Sequence, residues 1–275
     1  MIRRLQFLLG AGQRWRWALI FAPAVGAILI GLFAMPDSLA MLLGLAAGWL
    51  LAGLFLFRRG AAEYRLAIKL LRQNRQEEAI QEMDALIQRD SDCPEHYHLR
   101  AEILRVGGQL ERAQADYQRM TQLAPDSATA FNGLSEVEFQ SGHYDQAQAA
   151  ALKALELAPR DWVALYNLGM IEDRLKQSEA VIEHLTAALK LKIADPRHRL
   201  LAYLYLTRAY ARLGNGDAAR ETVAALKEQR AGLRDWQILL QSKQAETLRA
   251  MLDDDVQTAQ HLADGEMMVE ALANA

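Results

Sequence analysis

Small and apolar side chains recur every 34 residues between about residues 61 and 230. One set of small residues occupies Ala67, Ala101, Ser135 and Gly169. A second set follows twelve residues later in the same register, at Ala79, Ala113, Ala147 and the Ala180–Val181 pair. Turn-forming residues lie between the two sets, at Asn74, Gly108 and Gly142. Because two helices cross closely only where side chains are small, this period predicts a stack of helical pairs.

The pattern predicts an all-α fold with five helical pairs. The expected helices are 62–74 and 76–90, 95–107 and 110–123, 129–141 and 144–157, 162–175 and 178–191, and 199–213 and 216–230. The apolar segment 233–252 predicts a helix that caps the last pair. The three aspartates at 253–255 suit the N-terminus of a further helix over about 256–272, interrupted near Gly265. An acidic disordered tail is the alternative for this end of the chain.

Two apolar stretches precede the repeats. Residues 17–35 and 39–57 contain no charged side chain, and each stretch is 19 residues long. A helix of that length spans roughly 28 Å, close to the hydrocarbon thickness of a bilayer. With only a short turn at Pro36, Asp37 and Ser38 between them, the stretches predict a two-helix transmembrane hairpin. A cleaved signal peptide is the alternative for the first stretch, but the second spanning run follows it directly, which favours a retained hairpin.

Arginines predict how the hairpin is oriented. They flank its two outer ends, at Arg3, Arg4, Arg14, Arg16, Arg58, Arg59 and Arg65, whereas the turn carries only Asp37. By the positive-inside rule, both termini and the repeats are expected on the cytoplasmic side of a bacterial inner membrane. Small residues that allow close helix packing occur in the two spans, at Ala22, Gly26, Gly44 and Gly48. They fit packing within the hairpin, and dimerisation or docking to another membrane subunit is the alternative.

The chain therefore divides into a basic N-terminus with a membrane anchor at 1–60, a repeat array at 61–230, and a capping helix with an acidic tail at 231–275. The net charge of −3 argues against general nucleic-acid binding, which requires a basic face. The single cysteine, Cys93, excludes an internal disulfide and fits a reducing compartment.

Motifs for catalysis or metal binding are missing from the sequence. It contains no phosphate-binding loop, zinc-ligand pattern or nucleophile elbow. The nearest approach to a metal cluster is formed by Cys93, His96 and His98. On a helix, His96 and His98 point to different faces, because neighbours on one face are three or four residues apart. The sequence therefore predicts no enzyme, no cofactor and no metal site.

The repeat residues resemble the tetratricopeptide family. One unit carries Tyr97, Ala101, Gly108, Ala113, Tyr117 and Pro125. The next carries Phe131, Leu134, Ser135, Gly142, Tyr144, Ala147, Ala151, Ala154 and Pro159. The resemblance implies a right-handed superhelix that docks protein partners. With its two-span anchor, the chain is also similar to the HemY-type membrane proteins and to the repeat subunit of Pel-type exopolysaccharide export.

The same resemblance implies a concave groove lined by the first helix of each pair. The expected groove residues are His98, Glu102, Arg105, Asn132, Glu136, Phe139, Tyr166, Met170, Asp173 and Arg208. This mixture of polar, aromatic and charged side chains suits an adaptable peptide-binding groove, although a solvated helix face has the same composition. In an empty groove, Asn132 and Tyr166 are expected to face solvent. Lysine is missing from the positions of the family's carboxylate clamp, which argues against docking of a C-terminal chaperone tail.

Two glutamates depart from the family pattern. Glu138 and Glu172 are 34 residues apart, at a position that is usually aromatic or aliphatic. If they are half-buried, like charges on neighbouring helices would raise the pKa of one carboxyl group or recruit an arginine. Arg105 and Arg174 are the candidates for that role.

These features predict a scaffold at the inner membrane that holds a protein partner beside a membrane-associated complex. Neither nucleic acid nor a small-molecule substrate is expected. The alternative function is that of a structural subunit, for example in exopolysaccharide synthesis or export, whose membrane hairpin is the main docking surface.

Overall fold

The computed structural model describes Ala47, residues 64–241 and residues 245–274. Apart from Ala47, the predicted hairpin lies outside the described residues, as do its packing residues Ala22, Gly26, Gly44 and Gly48. None of the described helices combines the length and the apolar character that crossing a membrane requires. The chain forms two compact units, one ending at Leu86 and one running from Ile87 to Ala275, and each is described by itself.

The first unit contains the earliest helical pair. Helix α1 is Arg65–Arg72, and helix α2 is Gln76–Arg89, whose last three residues belong to the second unit. Ala67 and Ala79 are fully buried, as expected for the small positions of the repeat.

The second unit contains the remaining helices in chain order. They are α3 Pro94–Val106, α4 Leu110–Leu123, α5 Ala128–Gln140, α6 Tyr144–Leu157, α7 Trp162–Arg174, α8 Ser178–Lys190, α9 Pro196–Arg212, α10 Gly216–Lys227, α11 Arg230–Leu240 and α12 Glu246–Asp264, followed by a 3-10 helix at Val269–Asn274. The predicted pairs are confirmed, and each predicted helix end lies within three residues of the observed one.

Small residues mark the crossings within the pairs. Ala113, Ser135 and Ala147 are fully buried. At Gly169, an added Cβ atom would clash with Cγ of Leu185 on the opposite helix. The close approach of α7 and α8 therefore depends on the absence of a side chain at this position.

A left-handed residue ends the first helix of successive pairs at the same 34-residue spacing. Gly108 and Gly142 have φ of 76° and 78°, and Asn74 has φ of 58°. The fourth member of the series is Lys176, with φ of 57°. A side chain in this conformation brings Cβ close to the following carbonyl oxygen, which glycine avoids. Repeat geometry therefore imposes the left-handed turn on a lysine.

Side-chain caps begin three successive first helices, again 34 residues apart. Ser127, Asp161 and Asp195 each accept a hydrogen bond from a backbone N–H of the first helical turn. Such caps pair donors that have no partner inside the helix and fix where it begins.

The C-terminal region differs from the prediction. The single capping helix expected over 233–252 is instead split into α11 and α12. The aspartates at 253–255 lie in the middle of α12 rather than at a helix start, and α12 ends at Gly265 with φ of 78°. The alternative of a disordered acidic tail is wrong for the described residues, because they are helical up to the 3-10 turn.

Helix α12 returns along the array. It packs against α9, α10 and α11, and it also reaches α5. Near its start, Thr247 lies against the α3–α4 turn, since a Cβ atom added at Gly108 would be 2.8 Å from its hydroxyl oxygen. Near its end, Arg230 pairs with Asp264 at 3.4 Å. One helix thus bridges the second pair of the array and the last.

Candidate binding groove

The first helices α3, α5, α7 and α9 carry all the predicted groove residues, and the structure buries most of them. Less than a tenth of the surface is exposed for Arg105, Asn132, Phe139, Tyr166, Met170, Asp173 and Arg208. His98, Glu102 and Glu136 are half-buried. The expectation that Asn132 and Tyr166 face solvent is wrong, and so is the alternative of a solvated helix face. The physical reason is that these side chains pack between neighbouring helices and make specific polar contacts there.

One set of contacts joins α3 to α5. Arg105 lies 2.9 Å from Glu102 on its own helix and 3.1 Å from Glu136 on the next. The hydroxyl of Tyr117 donates a hydrogen bond to Glu102. Burial alone would lower the pKa of Arg105, but Glu102 and Glu136 outweigh it and raise that pKa. This arginine therefore stays charged and ties the two first helices together.

A second set of contacts joins α5 and α7 to the pairs that follow. Asn132 Nδ2 donates to the capping carboxylate of Asp161 at 2.7 Å. Tyr166 packs edge-on against the ring of His198, with ring centres 4.9 Å apart. Both predicted groove residues are thus held in place within the array.

The main feature of the groove is a buried ion cluster at the ends of α7 and α9. Asp173 lies 3.1 Å from Arg208, 2.9 Å from Arg212 and 3.2 Å from Arg174. Asp255 of α12 completes the cluster, with its carboxylate 2.7 Å from Arg208 and also bonded to Arg174. We call these five residues the aspartate–arginine cluster. It links the concave side of the array to α12.

Burial makes each charge in this cluster depend on its partners. Asp173 and Asp255 are only 2% and 3% exposed, so removal of a partner would leave a charge without compensation in a poorly hydrated site. For Arg208, burial opposes the charged form, but Asp255 and Asp173 prevail and raise its pKa. Tyr205 donates a further hydrogen bond to Asp255 at 2.8 Å. Burial and Asp255 both raise the pKa of this phenol, which keeps the donor proton in place.

The face of α12 that carries Asp255 is otherwise apolar. Leu252, Val256, Ala259 and Leu262 are all buried, at spacings of three and four residues. This is the pattern of an amphipathic helix lying on a larger surface. Sequence reasoning assigned Asp173 and Arg208 to the groove but missed Asp255, Arg174, Arg212 and Tyr205. The apolar spacing around Asp255 was the one available signal for its burial.

The unusual glutamates Glu138 and Glu172 are buried, but neither recruits an arginine. Glu138 accepts hydrogen bonds from Gln114 and His143, and Glu172 lies 2.8 Å from His184 Nδ1. The expected partners, Arg105 and Arg174, are engaged elsewhere. Each glutamate is instead satisfied by a histidine of its own helical pair. The hydrogen bond to Glu172 raises the pKa of His184, with burial opposing it.

A solenoid of helical pairs with a lined concave side defines this protein as a helical-repeat binding scaffold. Residues 64–128 and 132–196 match the family model for the tetratricopeptide repeat. Over these segments the chain is a tetratricopeptide-repeat protein, as its sequence pattern indicated. Proteins of this fold mediate protein–protein interactions.

Among curated proteins, the chain matches the BBSome complex member BBS4 of Mus musculus, with 26% identity over 129 residues. The match covers 47% of this chain and 24% of that protein, so the chain spans about a quarter of the relative's length.

Among solved structures, the fold resembles MamA from Desulfovibrio magneticus RS-1, with 24% identity, 61% of this chain and 93% of that chain covered, and a TM-score of 0.54. It also resembles TTC0263, a thermophilic protein of the same repeat family in Thermus thermophilus, with 20% identity, 68% and 98% covered, and a TM-score of 0.50.

Proposed function

We propose that this protein is a membrane-anchored scaffold that binds a partner protein on the concave side of its repeat array. The observation that carries the proposal is that α12 already lies on this side and inserts a buried carboxylate between Arg174 and Arg208. A surface that holds one helix in this way has the shape and the charge to hold a protein segment. The mouse relative is named for its membership of a complex, which fits an assembly role.

The anchor in this proposal is the hairpin of 17–57. Its support is the sequence: two uncharged stretches of spanning length and arginines at both outer ends. In this arrangement the repeats lie on the cytoplasmic side of a bacterial inner membrane, beside a membrane-associated complex.

Topology is tested with reporter fusions after Phe57 and after Ala275. A cytoplasmic reporter should be active at both positions, and a periplasmic reporter should be inactive. Periplasmic activity at either position would refute the proposed orientation and, with it, the side on which partners are sought.

Partner binding is tested by capture of proteins with the full chain in mild detergent, followed by their identification. Arg105→Gln and Arg208→Gln should each reduce capture of the same protein by about tenfold or more, which corresponds to about 1.4 kcal/mol. Capture that survives both changes would show that the concave side is not the binding surface.

A second candidate function is that of a structural subunit whose hairpin is the docking surface, for example in exopolysaccharide synthesis or export. The observation that favours it is that α12 already covers part of the concave side. Replacing Gly44 and Gly48 by leucine should then abolish capture, because bulky side chains prevent close packing of membrane helices, while Arg105→Gln has no effect. The opposite result favours the scaffold.

A further inference from the structure

Helix α12 lies on the array as a ligand would lie. It crosses from the α3–α4 turn to the last pair, and its buried face presents one carboxylate among apolar side chains. The side chains that receive this carboxylate, Arg174, Arg208 and Tyr205, come from the first helices of the last two pairs. The repeat pattern alone had assigned Arg208 to the groove. The chain's own C-terminal helix therefore occupies the surface on which this fold binds partners.

The charge of the aspartate–arginine cluster defines what that surface requires. With α12 in place, three guanidinium groups face two carboxylates. Without Asp255, the same three cations would share Asp173 alone, at the mouth of a groove lined by aromatic and apolar side chains. Arg208 Nε also has no hydrogen-bond partner among the described residues. Because buried cations require paired anions, an incoming segment must supply a carboxylate at this point.

We propose that this concave surface recognises an acidic amphipathic helix of a partner protein, and that α12 is a resident competitor for the same site. The pattern presented by α12 is Leu-x-x-Asp-Val-x-x-Ala-x-x-Leu, from Leu252 to Leu262. The partner helix carries the same arrangement: an aspartate or glutamate with a small or branched apolar residue beside it and others one and two turns away. The inference rests on the proposed function, since it specifies the partner of that scaffold's binding surface.

Competition between α12 and the partner lowers the apparent affinity of the surface by the fraction of chains in which α12 is displaced. Changes that loosen α12 without altering the array should therefore strengthen binding of an added helix. Asp255→Asn removes the carboxylate of α12. Ala259→Leu overpacks a fully buried position of α12 and leaves all three arginines unchanged.

The probe is a labelled synthetic peptide with the sequence of residues 246–264, titrated into the full chain in mild detergent and followed by fluorescence anisotropy. Asp255→Asn and Ala259→Leu should each bind it at least tenfold more tightly than the unmodified chain. The matched control is Asp254→Asn, which removes the same charge one residue away at an exposed position and should leave the affinity unchanged. A peptide with asparagine in place of Asp255 should bind all chains at least tenfold more weakly.

Helix content and melting temperature, measured by circular dichroism, show whether each variant remains folded. If Asp255→Asn unfolds, Ala259→Leu provides the same comparison. Equal peptide affinity in the folded variants and in the unmodified chain would overturn the proposal, because α12 would then be a fixed part of the core. A concentration-dependent dimer of either variant would also overturn it, since the occupant would be α12 of a second copy.

The partner captured from cells separates this inference from the proposed function. Release of a captured protein by the peptide supports both. Capture that persists at saturating peptide, yet is weakened by Arg105→Gln, leaves the scaffold function in place and refutes the α12 site as its docking point. Tighter peptide binding by the loosened variants without any captured protein supports the acidic-helix site and counts against the scaffold function.

Discussion

At the scale of single residues, the repeat imposes its geometry even where the local sequence does not favour it. Lys176 adopts the left-handed conformation that glycine provides at the equivalent positions Gly108 and Gly142. Likewise, Glu172 is buried at a position where the family has an apolar residue, and it is stabilised by His184. Both residues are places where a small change should have a measurable effect.

Lys176→Gly should stabilise the protein by about 0.5–1 kcal/mol, because glycine adopts a positive φ without steric cost and this gain exceeds its larger entropy loss on folding. The measurement is the free energy of unfolding from denaturant titration. Lys176→Ala is the control, since it removes the same side chain but retains Cβ, and it should give no such gain. A gain shared by both variants would mean that the lysine side chain, not the backbone, is unfavourable.

Stability should fall as the pH rises through the titration of His184. Its folded-state pKa is raised, chiefly by the hydrogen bond to Glu172. The contribution is therefore fully present below the unfolded-state pKa of about 6.5 and is lost as the pH rises through the higher folded-state value. His184→Gln and Glu172→Gln should both remove this part of the pH dependence of the melting temperature. An unchanged slope between about pH 6 and 8 in either variant would contradict the assignment.

At the scale of helices, the crossings between pair members hold the array together. Each crossing depends on a small residue at a fixed place in the repeat, and Ala147 is the clearest example because it is fully buried between α5 and α6. Helix starts are fixed separately, by capping side chains such as Asp161 and Asp195.

Ala147→Leu should lower the free energy of unfolding by about 1–3 kcal/mol, because the added carbon atoms must displace the facing helix. Ala149→Leu is the control on the same helix, since Ala149 is exposed and should change stability by less than about 0.5 kcal/mol. Equal destabilisation by the two changes would show that the crossing is not at Ala147.

At the scale of the whole second unit, α12 connects helical pairs that are far apart in the array. Its Asp255 bonds to Arg174 and Arg208, which are 81 and 47 residues away in sequence. Contacts of this kind add a long-range restraint to an architecture in which each repeat otherwise contacts mainly its neighbours.

Asp255→Asn should lower the free energy of unfolding by about 3–5 kcal/mol, the usual cost of removing one partner from a buried ion pair. Asp254→Asn should be nearly neutral. Thermal unfolding of both variants, followed by circular dichroism, tests this. A neutral Asp255→Asn would show that the aspartate–arginine cluster does not stabilise the fold.

The sequence by itself determined the repeat, because its period is a local property. Helix bounds from α1 to α10, the turns and the buried small positions follow from residue spacing alone, since each pair of helices is only 34 residues long. The groove residues were placed on the correct helices for the same reason.

Only the tertiary structure decided the location of α12 and the pairing of the buried charges. The same acidic, amphipathic segment could have formed a tail, a cap or a groove-bound helix, since its local pattern is alike in all three. The choice depends on the distant arginines that Asp255 meets, just as the partners of Glu138 and Glu172 depend on which side chains face them. These pairings are made between helices, where the stacking of the array sets which charges meet in a poorly hydrated interior.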